Sequence, residues 1–215
     1  MTTVVVHGAG STGAAAAALL GSGPDSVLIE DRSGDIDEVI ASVEATLVDV
    51  PGCSTLVGIS LGAHAVARWA STAHRPLPRI VCVLPAWTGP PGSTAYATAL
   101  AAQQIAADGA NAVLDRLTAE DRYPDVVQLL RVAWDDYSDD MLSSCLFRAS
   151  SGRGPTPAEL ASIPVPVAVV GWRGDALHPA AVAHEWATHL RWPTIAMGAY
   201  PEIRLMRQAL TMCAL

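Results

Sequence analysis

Gly58-Ile59-Ser60-Leu61-Gly62 follows the apolar run Ser54-Thr55-Leu56-Val57 and opens onto a helix-like stretch over residues 63–70. This is G-x-S-x-G between a strand and a helix, the context in which a serine hydroxyl is lifted onto a sharp, strained turn. The glycines have a steric reason to be there, because a Cβ at either position would collide with the neighbouring strand and helix backbones. A tight strand–helix turn carrying a spectator serine is the plainer alternative for the same five residues.

Outward from this turn, apolar β-branched runs at 3–6, 27–29, 55–57, 80–84, 165–170 and 194–197 alternate with helical patterns at 13–20, 36–47, 63–70, 180–190 and 202–210. Strands apolar on both faces, alternating with helices, predict a parallel sheet covered by helices. The expected fold class is α/β: a three-layer sandwich whose mostly parallel sheet has about six strands, with helices on both faces. Binding sites in such sheets lie beyond the carboxyl ends of the strands.

Residues 88–163 break the alternation. Thr88-Gly89-Pro90-Pro91-Gly92 leads into helical patterns at 96–107, 110–117, 124–134 and 139–149, and a Pro/Gly/Ser-rich passage at 150–157 closes the stretch. The expected organisation is a single domain over 1–215 with 88–163 as a helical cap insertion; helices packed at the sheet's edge are the alternative.

Composition narrows the function classes. A chain of 215 residues, 51% of them hydrophobic, is long enough for one full core. The net charge is −8, from 21 acidic and 13 basic residues, and every basic residue is arginine. Without a basic cluster, nucleic acid and an anionic membrane surface are not expected partners. The absence of lysine removes Schiff-base chemistry and the Walker-type phosphate lysine. Cys53, Cys82, Cys145 and Cys213 have no metal-type spacing and read as reduced thiols. No run reaches the roughly 18–20 apolar residues of a membrane span, and the N-terminus lacks the basic flank of a signal peptide. A soluble, cytoplasmic protein with no metal and no cofactor is expected.

Four landmarks in order carry a resemblance. Val4-Val5-Val6-His7-Gly8-Ala9-Gly10 is a strand ending in a His-Gly loop, and Glu30-Asp31-Arg32-Ser33-Gly34 is a charged turn after the next strand. Gly58 to Gly62 is the third landmark. The fourth is Val169-Val170-Gly171-Trp172-Arg173-Gly174-Asp175-Ala176-Leu177-His178-Pro179, a strand followed by G-x-x-D-x-x-x-P spacing. Together they resemble a short member of the α/β-hydrolase superfamily that lacks the first antiparallel hairpin. The resemblance implies Ser60 as nucleophile, Asp175 as triad acid, and the backbone amides of Ala9 and Leu61 as the oxyanion hole. Asp175 also reads as a helix N-cap ahead of Pro179-Ala180.

The family's histidine follows the last strand. Here that stretch is Met197-Gly198-Ala199-Tyr200-Pro201-Glu202, with alanine or tyrosine where histidine belongs. Neither serves as a base at neutral pH. His178 is the substitute at the correct edge of the sheet, although three residues from Asp175 is a short separation for an Asp175–His178–Ser60 line; a local helix-start or pocket-lining role is its alternative. His64, one helical turn past Ser60, is expected below the serine as a buried, hydrogen-bonded histidine. His7 reads as loop architecture beside the oxyanion hole, His74 as a loop residue, and His184 and His189 as solvent-facing without metal-pair spacing. His7, Trp87 and Trp172 are candidates for the substrate pocket, the two tryptophans because each follows a strand end.

Two further patterns compete. Asp135-Asp136-Tyr137-Ser138-Asp139-Asp140 lacks the glycine and terminal glutamate of an EF-hand loop and reads as a solvated acidic turn. Gly8, Gly10 and Gly13 have G-x-G-x-x-G spacing, with Glu30 or Asp31 about 20 residues on, as a dinucleotide fingerprint requires. The expected function is hydrolysis of a small ester or acyl substrate, apolar or aromatic in its acyl part. A non-hydrolytic protein on the same fold is the alternative, and a nicotinamide-dependent oxidoreductase the third.

Overall fold

The computed structural model describes residues 2–21, 26–119 and 124–213. Its centre is one sheet of six parallel strands: β1 (Thr2–Val6), β2 (Ser26–Ile29), β3 (Cys53–Ile59), β4 (Arg79–Val83), β5 (Val167–Arg173) and β6 (Pro193–Ala199). Their spatial order is β2-β1-β3-β4-β5-β6, so the chain changes direction between β1 and β3. That reversal opens a crevice at the carboxyl edge of the sheet. Val6 pairs with Gly58 and Ile59 with Val83, which brings the ends of β1, β3 and β4 level with one another.

Ten helices connect and flank the strands among the described residues. One face of the sheet is covered by α2 (Ile36–Asp49), α3 (Leu61–Thr72), α8 (Pro157–Ser162) and α9 (Ala180–His189), which pack on Val4, Val6, Leu56, Ile80 and Val169. The opposite face carries α1 (Gly13–Leu20) and α10 (Ile203–Met212) over Val5, Val57, Val81 and Val170. Alternation along each strand sends successive valines to opposite layers, which is why the strand sequences read as continuous apolar runs.

Local chemistry fixes the helix ends. The Thr12 hydroxyl accepts the Ala15 amide to start α1, and Asp35 accepts the amides of Asp37 and Glu38 to start α2. α8 begins at the last residue of the Pro/Gly/Ser-rich passage, where Thr156 and Glu159 form a complete capping box around Pro157. Glu159 also takes both terminal nitrogens of Arg153, at 2.7 Å each, and these hydrogen bonds hold its carboxyl down at about 2.

The insertion between β4 and β5 folds as α4 (Ser93–Asp108), α5 (Ala110–Ala119), α6 (Pro124–Trp134) and α7 (Asp139–Ser151) before α8. The first four share a core with Ala15 of α1, built on Ile105, Leu114, Val127 and Leu142. α8 packs instead on the sheet layer through Leu160, beside α3 and α9. All four cysteines are free thiols, and among the described residues no helix is long and apolar enough to cross a membrane.

Candidate active site

Ser60 occupies the junction of β3 and α3 with φ 54° and ψ −115°, a backbone conformation that non-glycine residues avoid. Such a conformation costs of order 1–3 kcal/mol and persists only where the surroundings impose it. They do here. The Ser60 amide donates to Val83 at 2.9 Å, and its carbonyl accepts from Ala63 at 2.9 Å and His64 at 3.2 Å. A Cβ on Gly58 would run into the backbone of Gly62, and one on Gly62 into the carbonyl oxygen of Val6. The spacing of the two glycines is therefore a packing requirement of strand against helix.

The side chain facing Ser60 is His178. Its Nε2 lies 2.9 Å from Ser60 Oγ, and its Nδ1 lies 2.7 Å from Asp175 Oδ2. Both residues belong to the connection between β5 and α9. The separation that looks short on paper is resolved by a turn: Asp175 Oδ1 accepts the Leu177 amide at 2.8 Å, and Gly174 enters it at φ 89°. A turn of this kind folds residue i+3 back beside residue i. The N-cap of α9 is Pro179, with no side-chain cap, so Asp175 serves the turn and the imidazole.

Asp175 retains 8% of its side-chain exposure and His178 19%. Burial acts to raise the Asp175 pKa, but hydrogen bonding and charge from His178, together with the amides of Leu177 and His178, outweigh it and hold the carboxyl below its usual range. An ionised carboxylate only accepts, so in the neutral imidazole the proton sits on Nδ1. The Nε2 lone pair is then left to take the Ser60 hydroxyl proton.

Two backbone amides lie in the segments next to Ser60. Leu61 opens α3, where first-turn amides have no intrahelical acceptor. Ala9 follows Gly8, whose backbone is pressed so close that a Cβ there would sit 3.0 Å from Ser60 Cβ. Among the described residues neither amide has a hydrogen-bond partner. His7 is buried and donates from Nδ1 to the Gly8 carbonyl at 2.8 Å, with Nε2 3.7 Å from Glu30.

The glycine loop after β1 is already occupied. Glu30 accepts the Gly13 amide at 2.8 Å, putting a carboxylate at the start of α1 where a dinucleotide pyrophosphate would bind. Gly10 donates to the Cys145 thiol, and Leu142 and Leu146 of α7 lie over it. The G-x-G-x-x-G spacing here serves packing between β1, α1 and α7.

Trp87 is buried with its ring edge-on to His64 at 4.6 Å, and Trp172 is buried edge-on to Tyr200 at 4.8 Å. Tyr200, in the segment where the family's histidine is expected, donates its amide to Arg173 at 2.8 Å. His64 is fully buried, and burial drives its pKa down to about 3. Its Nε2 accepts the amides of Ala86 at 3.1 Å and Trp87 at 3.4 Å. His74 and His184 are exposed and His189 is half-buried; no cluster among the described residues could hold a metal ion. Sequence reasoning missed Leu84, whose φ of 55° turns the chain sharply after β4. It also missed Thr94 and Trp186, whose side chains donate to the carbonyls of Ala86 and Trp87. Leucine in a left-handed conformation leaves no mark in sequence.

No protein-family model and no curated protein sequence matches the chain. Solved structures do. An enol-lactonase from Burkholderia xenovorans LB400 superposes with a TM-score of 0.72 at 15% identity, covering 99% of this chain and 88% of that one. A bromoperoxidase from Bacillus anthracis gives 0.76 at 18% identity, covering 98% and 90%. A thermophilic esterase from Thermogutta terrifontis gives 0.72 at 11% identity, covering 100% and 87%. At these identities the likeness is one of fold. The six-stranded parallel sheet with helices on both faces is the α/β-hydrolase fold.

Proposed function

We propose that the protein hydrolyses a small ester or acyl substrate through Ser60, with His178 as general base and Asp175 as its orienting acid. The observation that carries this reading is the unbroken line Asp175 Oδ2–His178 Nδ1 at 2.7 Å and His178 Nε2–Ser60 Oγ at 2.9 Å, on an elbow strained to present the hydroxyl. Ser60 Oγ attacks the substrate carbonyl carbon as Nε2 takes its proton. The amides of Leu61 and Ala9 receive the oxyanion, where one well-placed donor contributes about 3–4 kcal/mol. The imidazolium then gives its proton to the departing alkoxide. Water, activated by the same nitrogen, cleaves the acyl-enzyme and restores the serine. Asp175 holds the tautomer throughout and stabilises the imidazolium.

The helical insertion acts in this reading as a cap, since α7 already lies over the loop that carries Ala9. His7, Trp87 and Trp172 remain the proposed pocket residues. The two tryptophans would form its apolar backing for an apolar or aromatic acyl group.

The test is mass-spectrometric labelling with a fluorophosphonate, run alongside p-nitrophenyl acetate turnover. A single adduct on Ser60 is expected, absent in Ser60→Ala and slowed about 10³-fold or more in His178→Ala. No adduct on wild type after long exposure would overturn the hydrolase reading in favour of a non-hydrolytic protein on this fold.

A further inference from the structure

We propose that His64 is a positioning residue for His178, acting through the strap of residues 84–87; the proposal rests on His178 being the base for Ser60. His178 leaves the chain after β5 and meets Ser60 after β3, with β4 between those strands in the sheet. Neighbouring strands lie about 4.8 Å apart, so the arm from β5 to the elbow spans about 10 Å and crosses the end of β4. The strap is the segment that leaves that end. Its height sets where the imidazole lies relative to the serine.

The strap is held as few irregular segments are. At its start the Ser60 amide donates to Val83 at 2.9 Å and the Leu84 amide to Val170 at 2.7 Å, tying elbow, β4 and β5 in one row. Leu84, at φ 55°, then turns the chain down into the interior. The four backbone groups of the last two residues are all met by side chains. His64 Nε2 accepts both amides, Thr94 Oγ1 donates to the Ala86 carbonyl at 3.0 Å, and Trp186 Nε1 donates to the Trp87 carbonyl at 3.3 Å. Loop backbone usually meets water; here three side chains from α3, α4 and α9 replace it.

Of the three clamping side chains, His64 is the one carried on the helix that Ser60 begins. It lies one turn along that helix, so a single rigid element carries the serine at its tip and the acceptor for the strap four residues on. An apolar side chain at 64 leaves two buried amides without an acceptor, and the strap must rise or find water. Either response moves the ground over which His178 reaches. A misplacement of about 1 Å at a reacting pair costs on the order of 100-fold in rate.

The experiment compares wild type, His64→Gln, His64→Leu and Thr94→Val. The first readout is fluorophosphonate labelling of Ser60. The second needs no turnover: the change in the His178 Nε2 ¹⁵N chemical shift when Ser60→Ala is added to each background, which reports the Ser60–His178 hydrogen bond. In folded His64→Leu we expect labelling slowed about 10–100-fold, kcat on p-nitrophenyl acetate reduced with KM nearly unchanged, and the shift change lost. Glutamine can accept both amides and should restore labelling to within about threefold of wild type with the shift change present. Wild-type labelling and shift change in folded His64→Leu would overturn the proposal, as would His64→Gln failing as badly as His64→Leu. If His64→Leu does not fold, Thr94→Val decides: a partial loss in both readouts supports the strap's role, and no change in either overturns it. A wild type that shows the Ser60-dependent shift but never labels defeats the hydrolase reading alone, leaving the shift comparison to judge the strap.

Discussion

Lowering the pH should unfold this protein through His64 before it does so through its carboxylates. The imidazole is fully buried and its pKa falls to about 3, chiefly by burial and secondarily through the charges of His178 and Arg68. In the unfolded chain the same group titrates near 6.5. Between those values the unfolded state binds a proton that the native state refuses, so stability is complete above about pH 6.5 and is lost as pH falls toward about 3. The single-site difference is about 2 kcal/mol at pH 5 and about 3 kcal/mol at pH 4, relative to pH 8. With a urea slope of about 2 kcal/mol per molar, the pH 5 figure moves the unfolding midpoint by about 1 M. The assay is urea unfolding at pH 8 and pH 5 for wild type and His64→Gln, which keeps an acceptor for the Ala86 and Trp87 amides but does not titrate. Comparing the two pH differences cancels every other group. A His64→Gln variant that loses as much stability as wild type, within about 0.5 kcal/mol, would refute the reasoning.

Two further substitutions test the elbow and the acid. Asp175→Asn retains an oxygen for the Leu177 amide but not the charge that holds the imidazole tautomer, so p-nitrophenyl acetate turnover should fall about 10⁴-fold with little change in thermal midpoint. Because the Asp175 pKa is depressed, its share of stability is present above about pH 4 and lost as pH falls through the lower native value; the asparagine variant should lack that acid limb in urea titrations. Ser60→Gly should be more stable than Ser60→Ala by about 1 kcal/mol or more, since glycine alone adopts φ 54° and ψ −115° without strain. Equal calorimetric midpoints for those two variants would mean that the elbow stores no strain.

The sheet was legible because its strands are apolar on both faces, a pattern that only a covered parallel sheet produces; the structure lengthens several strands and adds α8. That helix was missed although Thr156-Pro157-Ala158-Glu159 carries a complete start signal, because the surrounding prolines and glycines drew the reading toward loop. Ser60 was legible from its glycines, whose steric need the structure bears out. His64 was legible as a buried histidine because helical spacing carries it below the serine. What it holds was not, since the strap depends on the conformation of Leu84 and on contacts from α4 and α9 that are distant in sequence. The Asp175–His178 geometry was half legible. The sequence placed both residues at this edge of the sheet, while the turn that brings them together across three residues arises from the Leu177 amide bonding back to Asp175.

In the proposed mechanism acid and base come from one turn, which changes which contacts the site depends on. When the two come from separate loops, their mutual distance is a long-range quantity set by the packing of both. Here the Asp175–His178 pair is local, three residues apart, and its 2.7 Å contact is fixed by the turn itself. The only long-range contact in the line is His178 to Ser60, across 118 positions of sequence. The end of β6 is a support: Tyr200 packs edge-on to Trp172 and bonds back to Arg173, the last residue of β5 before the turn. Disturbances of the β5 edge should then move acid and base together as one body, preserving their own hydrogen bond while breaking the one to the serine. The contact that closes the line therefore lies at one junction, between the turn after β5 and the elbow after β3, with β4 between those two strands in the sheet.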